Sequence, residues 1–126
     1  MWVFNKHGFF SIVRHIDHPE FFLVRARNRA HLENLANFVK DRWGLMATHE
    51  IVEHEDWDYF ARVTIHQDFL RRWLLETLND VDYTTDVKGQ IMEATDPELG
   101  HALLDVWARM LDYQQEVHPG SAGDFH

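Results

Sequence analysis

The sequence predicts a two-layer α+β domain in which two ββα units form one four-stranded antiparallel sheet, with helices on one face and a C-terminal helix in addition. Three observations carry this. Runs with the two-residue alternation of strands, at 8–15 and 21–27 and again at 49–55 and 59–66, are each followed by a helical run of 3.6-residue periodicity. Displacing the sequence by 39 positions matches Ile12, Val13, His15, Asp17, Phe21, Val24 and Leu35 with Ile51, Val52, His54, Asp56, Phe60, Val63 and Leu74, so the same order recurs over about 8–43 and 48–80. With 126 residues, 45% of them hydrophobic and 13% aromatic, the chain can bury one core but not two.

In the first unit GFFSIVRH is rich in aromatic and β-branched residues, IDHPE supplies a proline-containing turn, and FFLVRAR returns as the second strand. Asn28 then caps a helix whose inner face is Leu32, Leu35, Ala36 and Val39, and Gly44 stops it. In the second unit HEIVEHE is the first strand, EDWD the turn and YFARVTIH the second strand. Phe69, Leu70, Trp73, Leu74 and Leu78 are the stripe of the following helix. The stretch 81–94 is mixed. Asp96 then caps a last helix, with Pro97 in its first turn and Leu99, Leu103, Val106, Trp107, Met110 and Leu111 on one apolar face. That face is expected to complete the core, with Trp107 and Met110 inside it. Residues 1–117 read as one domain and 118–126 as a tail. The alternative is a ferredoxin-like sheet, in which the first hairpin strand is an addition and 81–88 pair as a last strand.

Composition narrows the function classes. Twelve Lys and Arg against 21 Asp and Glu give a net charge of −9, so the overall field repels phosphate backbones and anionic lipid. Without cysteine there is neither a disulfide framework nor thiolate chemistry. No leader pattern or long apolar run marks the chain for export or a membrane, which leads us to expect a cytoplasmic protein.

The octapeptide HEIVEHED (49–56) resembles a zinc-binding helix, but its two imidazoles are five residues apart. They would therefore point in different directions from a helix. As a strand, the same residues place His49, Ile51 and Glu53 on one side and Glu50, Val52 and His54 on the other. A weak divalent-cation site around His49 and Glu53 is a secondary idea, and no metal or cofactor is called for.

Two surfaces are candidates for binding. Opposite the packed layer, the second strands display Arg25, Arg27, Arg62 and His66 beside Phe21, Leu23 and Phe60. The simplest role of such a face is a solvated surface or a dimer contact; its functional role would be to grip a carboxylate, a phosphate or an acidic peptide. Conversely, no Lys or Arg occurs between Arg42 and Arg62, where Glu50, Glu53, Glu55, Asp56 and Asp58 crowd one strand and its turn. Charges there discourage edge-to-edge pairing, and in a sharper form they would imitate phosphates, as a phage-type inhibitor does. Tyr83 and Lys88 in the irregular stretch could also reach a pocket. Ser11 stands in a strand run and no glycine pattern makes a phosphate loop.

The motifs M-W-x-F (Met1, Trp2, Phe4), G-F-F-S (Gly8 to Ser11), R-A-R (Arg25 to Arg27), D-Y (Asp58, Tyr59) and V-W-x-x-M (Val106, Trp107, Met110) resemble a family of small bacterial and phage proteins of unassigned activity that begin M-W-x-F-T. The chain departs from that pattern at Asn5, where Thr is usual, and at Asp86-Val87-Lys88, where a Phe-Lys pair is broken. The resemblance implies the fold boundaries and a cytoplasmic setting, and no substrate. The expectation is a non-enzymatic interaction module, homodimeric or bound to a protein partner through a charged surface. The alternative is a small enzyme or binding domain for an anionic molecule, with His66 as a proton carrier.

Overall fold

A computed structural model describes residues 1–81 and 96–120. Its elements are β1 (Trp2–Asn5), β2 (Gly8–Arg14), β3 (Phe21–Ala26), α1 (Arg29–Trp43), a 3-10 turn (Leu45–Ala47), β4 (Val52–Glu53), β5 (Ala61–His66), α2 (Gln67–Asn79) and α3 (Pro97–Val117). The strands form one antiparallel sheet in the order β1-β2-β3-β5-β4. The fold is therefore the two-layer α+β arrangement expected, with a fifth strand at the edge. β1 pairs Trp2 with Ser11 and Asn5 with Gly8 through a tight turn, in which Asn5 Oδ1 accepts the His7 N–H at 2.8 Å.

The alternation of β3 and β5 sorts their side chains. Val24, Ala26, Ala61, Val63 and Ile65 join Phe10 and Ile12 beneath α1 and α2, which contribute Leu32, Leu35, Val39, Leu70 and Trp73 to the same core. Asn28 caps α1 through the Ala30 N–H, and Gly44, at φ +104°, ends it. The ferredoxin-like alternative fails on topology. β2 pairs with β3 on the side where that fold needs its last strand. Residues 82–88, which were to supply that strand, lie outside the described residues.

The strand expected over 49–55 is much shorter. Thr48 bridges Ile65 and Val52 pairs with Arg62, so four steps along one strand are matched by three along the other. That mismatch is a one-residue bulge. It corrects the expected alternation: the His49 ring lies 5.4 Å from Phe21, on the face away from α1 and α2, whereas Glu53 faces the helices and accepts a hydrogen bond from Arg29.

α3 begins as read, with Asp96 Oδ1 accepting the Leu99 N–H at 3.0 Å. Beyond the first turn, however, it does not enter the core. Trp107 is 55% and Met110 57% exposed, which overturns their expected burial. Helical periodicity reports an apolar face but not what covers it.

Candidate functional site

Across the sheet from α1 and α2, Arg25 and Arg62 stand directly opposite each other on β3 and β5. Like charges in that register repel. Each is held by an aromatic ring from the turn that joins β4 to β5. The Arg62 guanidinium carbon lies 3.9 Å from the Trp57 ring centre, and Tyr59 is enclosed between Arg25 at 4.6 Å and Arg27 at 4.3 Å. Arg25 also donates to Ser11 Oγ at 2.8 Å and Arg27 to the Asp58 carbonyl at 2.6 Å. Among the described residues no carboxylate pairs with any of the three, and the Nε atoms of Arg25 and Arg62 are buried without a hydrogen-bond partner. The fold therefore stacks and orients a row of positive charge that no carboxylate among the described residues neutralises.

The other predicted residues divide. His66 shares the strand with Arg62 but is four residues along it, about 13 Å away. Its Nδ1 accepts the Asp68 N–H and caps α2, so it does not join the arginines. Phe21, Leu23 and Thr64 continue the arginine-bearing face toward it. Of the acidic set, Glu53 is engaged by Arg29 and Asp58 accepts the Tyr59 N–H, while Glu50, Glu55 and Asp56 are exposed. The turn that carries Glu55, Asp56 and Asp58 is the same one that supplies Trp57 and Tyr59, so acid and base are neighbours. Tyr83 and Lys88 lie outside the described residues.

The histidines of the octapeptide have a local role. His54 Nδ1 accepts the Asp56 N–H at 3.2 Å, and the His54 N–H donates to the Phe60 carbonyl at 3.0 Å. Thirty-nine residues earlier, His15 Nδ1 accepts the Asp17 N–H at 3.2 Å and the His15 N–H donates to the Phe21 carbonyl at 2.9 Å. These imidazoles close hairpin turns as an Asx side chain would. The proposed cation ligands His49 and Glu53 stand on opposite faces, and among the described residues no three His, Asp or Glu side chains converge on a metal position.

Sequence reasoning missed a second feature. A groove of about 1010 Å³ opens between α3 and the β1–β2 end of the arginine-bearing face, with Trp2, Phe4 and Phe9 on one wall and Leu103, Val106 and Met110 on the other. One hydrogen-bonded network of lining residues borders it. His31 accepts the Phe9 N–H on Nδ1 at 3.4 Å and bonds Asp96 Oδ2 through Nε2 at 2.8 Å, and Asn28 Nδ2 donates to the same carboxylate. Burial tends to raise the Asp96 pKa, but the Leu99 N–H, His31 and Asn28 outweigh it and hold the carboxyl below the usual range. The signal for this network was the capping residue itself, since a cap carboxylate has oxygen lone pairs to spare for a second helix.

Fold and surface together define a class: a small α+β domain with a flat, aromatic-braced arginine patch on its sheet. No protein-family model matches the chain, and no curated protein or solved structure matches it. Among the described residues no helix is long and apolar enough to cross a membrane.

Proposed function

We propose that this protein is a non-enzymatic interaction module that receives an acidic segment of a protein partner on the Arg25–Arg27–Arg62 face. One observation carries the reading: Arg25 and Arg62 are directly opposed, braced by Trp57 and Tyr59, and have no carboxylate partner among the described residues. Bringing two like charges together costs stability unless a ligand of opposite charge offsets it, and guanidinium forks suit carboxylate oxygens. Arg27 and Tyr59 border the groove, whereas Arg25 and Arg62 stand outside it on the pleated sheet surface, so the three charges span more than a pocket, which favours a macromolecular surface over a small molecule. A cytoplasmic setting, kinship with the small M-W-x-F-T proteins and an origin by duplication of one ββα unit belong to the same proposal. The duplication is supported by the paired His15 and His54 turns and by Val24 pairing with Val63, its counterpart 39 residues on.

Titration of the protein with an oligoglutamate peptide, followed through the arginine Nε–H resonances, tests the reading. Binding that moves Arg25 and Arg62, weakens with salt and is lost in Arg25→Met and Arg62→Met is expected. Response to inorganic phosphate but not to the peptide would replace it with the small-anion alternative, and no response to either would refute both.

A further inference from the structure

The exposed side of α3 has a spacing of its own. From Leu99, steps of four and three alternate through Leu103, Val106, Met110, Tyr113 and Val117. This is the 3.5-residue repeat with which a helix meets another helix rather than a sheet. Leu99 and Leu103 are partly buried at the groove, which Val106 and Met110 also line, but Val106, Met110, Tyr113 and Val117 are 46%, 57%, 53% and 50% exposed. The helix is not bare all round, since Gly100, Leu104, Leu111 and Gln115 on a neighbouring flank are partly or wholly covered. The stripe therefore continues the groove wall onto Tyr113 and Val117 and leaves an exposed apolar surface on a strongly acidic protein, of the kind that marks an interface.

We infer that this stripe is a self-association surface, on which α3 pairs antiparallel with α3 of a second copy about a two-fold axis between Leu111 and Asp112. A two-fold contact must be self-complementary, and the four exposed residues are placed symmetrically about that point. Val106 meets the partner's Val117 and Met110 meets the partner's Tyr113, which gives four apolar layers along the shared stretch. Charge selects the same arrangement. Arg109 and Glu116 lie along the same border of the stripe, within 3.5 Å of each other in one chain. Antiparallel pairing brings Arg109 beside the partner's Glu116 and repeats the contact by symmetry, so the border is neutral across the axis. Parallel pairing instead sets Arg109 against the partner's Gln114, with no opposite charge. Border charges of this kind set partner and orientation more than strength. The overlap from Val106 to Val117 is about 18 Å long, so a small contact and a weak dimer that dissociates on dilution are expected.

Light scattering of the whole protein over a concentration series gives the first reading, with a shift from monomer to dimer mass expected. Met110→Asp should weaken the dimer by at least about tenfold, with circular dichroism confirming that the fold is retained. Arg109→Glu and Glu116→Arg should each weaken it, and the two together should restore it. The chain has no cysteine, so orientation can be read by cross-linking. Val106→Cys mixed with Val117→Cys should form a disulfide-linked heterodimer, whereas Met110→Cys alone should not link to itself. A monomer at concentrations of about 100 µM, a dimer indifferent to Met110→Asp, or efficient self-linking of Met110→Cys would each overturn the inference.

Discussion

His7 sits in the turn between β1 and β2, where its Nδ1 accepts the indole N–H of the fully buried Trp73 at 3.1 Å and its ring lies 5.0 Å from Phe38. Burial, followed by the neighbouring Lys6 ammonium, lowers its pKa from 6.5 to about 4 against the opposing pull of Asp80. The folded state thus binds fewer protons than the unfolded chain between those two values. Stability contributed by neutral His7 is complete above about 6.5, and it is lost progressively as the pH falls toward 4. At roughly 1.4 kcal/mol per unit the full shift would be worth about 3 kcal/mol, and partial access of water to the ring reduces this to about 1–2 kcal/mol. Replacing His7 by Phe keeps a flat ring beside Phe38 but strands the indole N–H, which costs about 1–3 kcal/mol at neutral pH. The variant has no group there to titrate, so its deficit relative to the parent should shrink by about 1–2 kcal/mol between about pH 7.5 and about pH 4.5. Urea unfolding followed by tryptophan fluorescence measures both gaps, and carboxylates common to the two proteins cancel in the comparison. A deficit that stays constant across that range, or a His7 proton resonance that titrates near 6.5, would refute the reasoning.

Gly8→Ala should be strongly destabilising, because Gly8 has φ +147° and a Cβ there would fall 2.3 Å from His31 Cγ; a loss of at least about 2 kcal/mol is expected, visible as a fall in Tm of several degrees. Asp96→Ala removes both the α3 cap and the partner of the His31 Nε2, at a cost of about 1–2 kcal/mol, and hydrogen exchange should show faster opening in the first turn of α3 than in α1. Arg62→Met is expected to leave Tm unchanged or raise it by a few degrees, since it relieves the opposed pair and a buried unpaired Nε–H; a fall in Tm of more than about 4 °C would mean that Arg62 is a stabilising part of the sheet.

How much of this was legible beforehand depends on how local each cause is. The first hairpin, the Asn28 and Asp96 caps and the Gly44 stop are written in adjacent residues, and the structure has them where the sequence put them. The arginines could be read because strand alternation alone places Arg25 and Arg62 on one face; their exact opposition needed the β3–β5 register. His66 was misjudged as a companion of theirs, because alternation gives a side chain's face and not its height along the strand, and capping α2 was the stronger local demand. β1 was invisible because Trp2–Asn5 is only four residues long and gains its hydrogen bonds from β2. The fate of Trp107 and Met110 was likewise unreadable, since burial is decided by whatever faces a helix and not by the helix itself.

The bulge between Thr48 and Val52 makes this strand a mirror with a seam. Up to His49, side chains keep one sense; past the extra residue, inside and outside are exchanged. Removing Glu50 would therefore close the seam without exchanging the faces. His49 and Val52, then two residues apart in a continuous pleat, would keep one side, and Ile51 between them would stay opposite Val63 on the other. Were all the residues kept and the bulge ironed out instead, one of the two would have to turn over, so the spare residue is what lets this longer segment present the facings of a shorter one.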